Sequence, residues 1–275
     1  MKAFAFRPAH ATAARSVLGG RRTALLLLVL LAAVLLAACS KDDSTNEETC
    51  PVEADCLSLY DDFSGGTIDS VKWPLTQVSD GDDTMSVIAG ELESHSEDNV
   101  GGGSVQRARV RAASESQIGA MAADVRITGY SPGAASAGAR LMGFFYNSGT
   151  YTPGSFLNAV LSQIRLLGTD AHYNVHQCAD AACTTFNTII PDTTLGTVPL
   201  GNTATIFIGW DGGTTFTYQL NSDAPVVVDV GASLPNTGPP DLHIREVGTR
   251  LTGGSGAGEF ITADFDNVRT GYRTP

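Results

Sequence analysis

Thr203–Trp210 reads TATIFIGW, Asp211-Gly212-Gly213 follows, and Thr214–Leu220 returns as TTFTYQL. Apolar and polar residues alternate on both sides of a glycine turn, which is the signature of a β-hairpin. Outward from this hairpin the same kind of short, β-rich run recurs, separated by Gly, Pro, Asn, Asp and Ser. The other runs are Ser104–Ala112, Ala120–Ile127, Ala139–Tyr146, Leu157–Leu167, His172–Gln177, Val226–Val230, Leu242–Val247 and Glu259–Tyr272. Helical periodicity is almost absent. Many strands joined by short turns predict an all-β chain, a two-sheet antiparallel β-sandwich or jelly roll. No internal repeat is evident.

The chain starts differently. Lys2, Arg7, Arg15, Arg21 and Arg22 precede an uncharged run, Thr23–Ala38 (TALLLLVLLAAVLLAA), and no Asp or Glu occurs before residue 39. A basic start, an apolar middle and small residues at its end predict a secretory signal peptide over 1–38. The run is slightly short of the roughly 20 residues a spanning helix needs. Leu36-Ala37-Ala38-Cys39 resembles the bacterial lipobox. That resemblance implies cleavage before Cys39, a diacylglycerol on its sulfur, and a further acyl chain such as palmitate on the new amine. Each buried acyl CH₂ contributes about 0.8 kcal/mol, so several chains hold a protein to a membrane durably. Ser40 stands where an Asp would suggest inner-membrane retention, so the expected address is the cell envelope, and the outer membrane if the cell is Gram-negative. Residues 39–57 (CSKDDSTNEETCPVEADCL) are acidic and poor in large apolar groups, as a flexible tether is. Residues 58–275 are the expected sandwich domain.

Residues 1–38 hold five of the 17 Lys+Arg and none of the 29 Asp+Glu. The remaining 237 residues therefore carry 12 basic against 29 acidic side chains, a formal −17. Such a surface repels phosphate backbones and argues against a nucleic-acid partner. Beyond Cys39 the cysteines fall into two close pairs, Cys50 with Cys56 and Cys178 with Cys183. In an exported chain two local disulfides are the natural reading. A metal site built from His172, His176, Cys178 and Cys183 is the alternative. On a strand, residues four apart stand roughly 13 Å from each other, too wide for one zinc.

Asp61-Asp62-Phe63-Ser64-Gly65-Gly66-Thr67-Ile68-Asp69, followed by Lys72-Trp73, resembles the opening of concanavalin A-like lectin/glucanase domains, laminarinase-like and LamG-like ones included. Ala89-Gly90-Glu91-Leu92 is similar to their second strand, and Asp264-Phe265-Asp266-Asn267-Val268-Arg269 to their closing strand. The likeness covers residues 60–272 and implies a concanavalin A-like jelly roll. Phe63, Trp73, Phe265 and Val268 are expected to close the sandwich where its first and last strands meet. The resemblance also implies a structural Ca²⁺ held by the carbonyls of Asp62 and Gly90 and by Asp266. The alternative is that Asp266 caps a turn or pairs with Arg269.

The glucanase relatives carry Glu-x-Asp-x-x-Glu on a concave-face strand, two Glu close enough to act as nucleophile and acid. The corresponding stretch here, Asn158–Leu167 (NAVLSQIRLL), has no carboxylate. The crowded acids of Glu91–Asp98 read as a solvated edge. No nucleophile elbow, metalloprotease helix or P-loop is present either. The missing motifs argue against an enzyme. On the concave face Leu161, Gln163 and Arg165 share one side of their strand, and neighbouring strands offer Arg140, Phe144, Tyr146, Tyr173 and Trp210. Aromatic rings with amide and guanidinium groups suit a sugar, although any one ring by itself reads better as core. Burying Arg165 and Gln163 unpaired would be costly. The leading reading is a non-catalytic, membrane-anchored carbohydrate-binding lipoprotein. A divergent polysaccharide hydrolase or lyase, and a purely structural envelope lipoprotein, are the alternatives.

Overall fold

The computed structural model describes residues 57–272, apart from positions 80, 81, 102, 132, 134, 135 and 255. The signal segment 1–38, Cys39, the tether before Leu57 and the pair Cys50 and Cys56 lie outside the described residues. In chain order the strands are β1 (Ser58–Asp61), β2 (Leu75–Val78), β3 (Thr84–Ile88), β4 (Glu91–Asp98), β5 (Val105–Arg111), β6 (Ile118–Tyr130), β7 (Ser136–Asn147), β8 (Ala159–Leu167), β9 (Asp170–Cys178), β10 (Phe186–Thr197), β11 (Thr203–Trp210), β12 (Thr215–Leu220), β13 (Val226–Asp229), β14 (Ile244–Thr252) and β15 (Glu259–Tyr272). The only helical piece among the described residues is a 3₁₀ turn, Glu115–Gln117.

Two antiparallel sheets result. One runs β13-β12-β11-β6-β15-β4-β3, with β1 also paired to β15; the other runs β10-β9-β8-β7-β14-β5-β2. The hairpin that opened the reading is β11–β12, with Ile206 opposite Leu220, Ile208 opposite Tyr218 and Trp210 opposite Phe216. All six are buried in the core between the sheets, as period-two alternation requires. Asp211 Oδ1 closes its turn by accepting from the backbone N–H of Gly213 at 2.7 Å and Thr215 at 3.1 Å.

The ends of the sandwich meet as expected. β1 pairs with β15, and Phe63, Trp73, Phe265 and Val268 are all buried in the main core. The Trp73 indole N–H donates to Asp61 Oδ2 at 2.7 Å, which satisfies the buried polar tip of a large ring.

Two elements differ from expectation. Glu91–Asp98 is not an edge: β4 pairs with β15 on one side and β3 on the other. Leu92, Ser94, Ser96 and Asp98 point inward and are buried, while the Glu residues alternate outward. The buried hydroxyls of Ser94 and Ser96 meet Thr249 Oγ1 at 2.8 and 2.9 Å, so a polar patch of the core is satisfied internally. β10 was not anticipated at all. Its sequence FNTIIPDTTLGT contains Pro191 and little alternation, and it forms a largely exposed edge strand, where proline is tolerated.

Candidate functional site

The outer face of the second sheet carries a cleft of about 420 Å³. Strand register arranges its floor in rows, because directly opposed residues point the same way. Arg107 on β5 faces Arg250 on β14, and Arg250 faces Gly138 on β7. The next row is Arg109, Gly248, Arg140, Arg165 and His172, and the third is Arg111, Glu246, Met142, Gln163 and Asn174. The fourth is Ile244, Phe144, Leu161 and His176. Adjacent rows are two residues apart, so the four span roughly 20 Å along the strands. The floor is therefore graded, guanidinium-rich at one end and apolar at the other. At the apolar end Phe144 meets Phe156 at 4.8 Å between ring centres, and His176 meets Phe186 at 5.5 Å.

Ion pairs organise the cationic end. Glu246 is fully buried. Its Oε1 accepts from Arg140 Nη2 at 2.6 Å and its Oε2 from Arg109 Nη1 at 2.5 Å. Arg109 also donates to Gln77 Oε1 at 3.0 and 2.6 Å, and Arg140 to Gln163 Oε1 at 3.3 Å. Burial alone would raise the Glu246 carboxyl, but Arg140 and Arg109 outweigh it and hold the group below its ordinary range. Arg165 pairs with Asp192, whose other oxygen accepts from Asn174 Nδ2 at 2.6 Å. Gly248 makes the convergence over Glu246 feasible. With φ at +156°, a Cβ there would stand 2.2 Å from the Ala108 carbonyl oxygen and 2.6 Å from Arg109 Cα, so the position beside β5 takes glycine.

Six arginines line the cleft, and among the described residues Glu246 and Asp192 are the carboxylates that form ion pairs with them, so guanidiniums outnumber their paired acids. Desolvation, with neighbouring Arg107 and Arg165, pushes Arg250 down to about 10, and desolvation pushes Arg140 down to about 9. Both stay protonated at neutral pH. His176 is also lowered: desolvation, with Arg165 and Arg250 nearby, holds it below the usual imidazole value, so its ring is neutral there.

Of the residues expected on the concave face, Arg140, Gln163 and Arg165 lie together in this cleft. Tyr146, Tyr173 and Trp210 do not; all three are buried in the core between the sheets. A bulge between Phe144 and Tyr146 breaks the alternation that would have turned Tyr146 outward, and its hydroxyl donates to the Leu234 carbonyl at 3.0 Å. Tyr173 stacks on Tyr218 at 4.4 Å. Trp210 belongs to the other sheet and packs against Phe145. Sequence reasoning passed over Arg107, Arg109, Arg111, Glu246 and Arg250. The signal was present in VQRARVR, three arginines at every second position of one strand.

Cys178 and Cys183 form a disulfide at the apolar end of the cleft, which removes both sulfurs from any metal set. The loop they close is held by Asp180, whose carboxylate accepts from the backbone N–H groups of Ala182, Thr184 and Thr185.

At the far side of the molecule, β15 pairs with β4 as far as Phe265 and with β1 from Val268 onward, so Asp266 sits at the changeover. Gly90 occupies the β3–β4 turn with φ +87°, and Asp62 directly follows β1. The Asp266 carboxylate bonds Asn267, through its N–H at 2.6 Å and Nδ2 at 3.1 Å, whereas Arg269 pairs with Asp124 at 3.2 Å. Carbonyls of Asp62 and Gly90 with the Asp266 carboxylate are an all-oxygen set, the donor chemistry a hard cation takes.

No protein-family model matches this sequence, and no curated protein matches it. Solved structures do. The κ-carrageenase of Pseudoalteromonas carrageenovora, solved with an oligotetrasaccharide of κ-carrageenan, superposes with a TM-score of 0.52 at 11% identity, covering 81% of this chain and 98% of its own. Alginate lyase A1-II′, a member of polysaccharide lyase family 7, gives 0.51 at 13% identity, covering 80% and 94%. At identities this low the likeness shows the fold alone, a jelly-roll β-sandwich.

Proposed function

We propose that this chain is an exported, lipid-anchored protein that binds a polysaccharide in the cleft of the second sheet without cleaving it. The observation that carries the reading is the graded floor. A sugar has apolar C–H faces and a rim of hydroxyls, and here rings and aliphatic groups adjoin amides and guanidiniums within one cleft. The structural likeness to enzymes named for alginate and κ-carrageenan supports a glycan as ligand. The cleft's carboxylates do not suit hydrolysis, since Glu246 is buried between two arginines and Asp192 is held by Arg165 and Asn174. Neither is free to act as nucleophile or acid. Binding of polysaccharides to the purified full chain, measured by calorimetry or on a glycan array, tests the reading. Failure of every glycan to bind would remove it. The anchor rests on Leu36–Cys39, and Cys39→Ala should abolish labelling by a palmitate analogue; undiminished label would sink that part.

A lyase is the second reading, and His176 favours it: a neutral imidazole in the cleft, beside guanidiniums, can accept a proton. Release of unsaturated products, lost in His176→Gln, would establish it in place of simple binding.

A further inference from the structure

Accepting that the cleft holds a glycan, we propose that the glycan is acidic and that Arg107 and Arg250 form the subsite for its carboxylate or sulfate groups. The two residues are direct cross-strand partners on β5 and β14. Like charges placed opposite each other on a sheet repel, so the arrangement is unfavourable unless something between them is negative. The other arginines of the cleft have protein acids. Arg109 and Arg140 share Glu246, Arg165 has Asp192, and Arg111 reaches Glu246 at 4.0 Å. Neither Arg107 nor Arg250 has a carboxylate within 4 Å among the described residues, and the Nε of each is buried without a hydrogen-bond partner.

Gly138, next in the row after Arg250, carries no side chain of its own, and the side chain of Leu167 on β8 lies over it. Ser136 and Thr252 line the same end of the cleft and add hydroxyls. A guanidinium presents its donors in a planar fork that matches the paired oxygens of a carboxylate or sulfate. One such group between the two residues would satisfy both forks and cancel their repulsion. The apolar end of the floor, roughly 20 Å away along the strands, would then carry the C–H faces of further sugars on the same chain. An acidic ligand also explains how a chain of formal charge −12 concentrates six arginines in one place.

The test is calorimetry on the full chain with four probes: polyuronate oligosaccharides, sulfated galactan oligosaccharides, neutral laminarin oligosaccharides and a single-stranded oligonucleotide of matched charge. Arg107→Gln and Arg250→Gln are compared with Arg126→Gln, which removes the same charge from β6 in the other sheet. Acidic glycans should bind more tightly than laminarin. Each cleft variant should weaken them by about tenfold or more, the value of a charge-assisted hydrogen bond, while Arg126→Gln should not. Preference among the two acidic probes identifies the group as carboxylate or sulfate. Both cleft variants should keep or raise the melting temperature of the chain, because each relieves a repulsion; this separates lost contact from lost fold. Laminarin bound as tightly as the acidic glycans, with both variants unchanged, would overturn the acidic subsite and leave the glycan cleft standing. An oligonucleotide bound as tightly as the acidic glycans would overturn it in favour of a general polyanion surface. No glycan bound at all would remove the underlying reading as well.

Discussion

Glu246 has no exposed surface and two guanidinium partners, and a group in that position is expensive to neutralise. Replacing one partner of a buried ion pair leaves the others uncompensated, at about 3–5 kcal/mol. Glu246→Gln should therefore lower stability at pH 7 by about 3 kcal/mol, read from urea unfolding. The pH dependence has a definite sign. The native carboxyl titrates below its ordinary value of 4.5, so its contribution is complete above that pH and fades as pH falls through the lower native value. The gap between wild type and variant should narrow toward pH 3; a gap equal at both pH values would show that the charge of Glu246 is not what matters. At this scale the sequence was partly legible. Gln163 and Arg165 stand out because a polar pair in an otherwise apolar strand must find partners. Tyr146 misleads, because parity counted along β7 fails at a bulge that no residue type announces.

A side chain at Gly248 of β14 would run into the backbone of β5. The obstacle to a side chain at 248 is backbone, which cannot swing aside as a flexible side chain does. Gly248→Ala should push β5 away from β14 and cost about 1–3 kcal/mol by overpacking. Because Arg107, Arg109 and Arg111 all ride on β5, the same change should weaken glycan binding more than it lowers the melting temperature would suggest. Unaltered stability and binding in this variant would mean that β5 and β14 accommodate a methyl group there. Elements were legible where burial on one face imposes alternation, as in β11, β12 and β15. β10 was hidden because, as an exposed edge, it has no buried face to write a pattern, and the interior place of β4 because serines take inward positions normally held by apolar residues.

Over the whole molecule, charge is sorted rather than spread. Outward Glu91, Glu93 and Glu97 lie on the first sheet, while six arginines collect on the outer face of the second. Net charge alone, read from the sequence, described the average surface and concealed the cationic cleft, because strand order decides which distant runs become neighbours. The same consideration applies to the chain ends, which β1 and β15 bring together under Phe63, Trp73 and Phe265. A Ca²⁺ bound by the carbonyls of Asp62 and Gly90 and the carboxylate of Asp266 would link the opening loop, the β3–β4 turn and the closing strand. Packing, strand pairing and the bonds of Asp61 to Trp73 and Lys72 already hold these segments, and the ion would add a direct link among them. An ion that binds the folded state alone, at 100 times its Kd, adds about 2.7 kcal/mol. For a domain of this size that corresponds to a rise of roughly 5–10 °C in melting temperature. We therefore expect millimolar Ca²⁺ to raise the melting temperature of the wild-type chain and chelator to reverse it. Asp266→Ala should abolish the response, because the remaining donors are neutral carbonyls, whereas Asp223→Ala, in the turn after β12, should preserve it. A wild-type melting temperature indifferent to both Ca²⁺ and chelator would mean that the Asp266 carboxylate serves only Asn267, and that packing, the β1–β15 pairing and the Asp61 bonds hold the ends of the sandwich together without an ion.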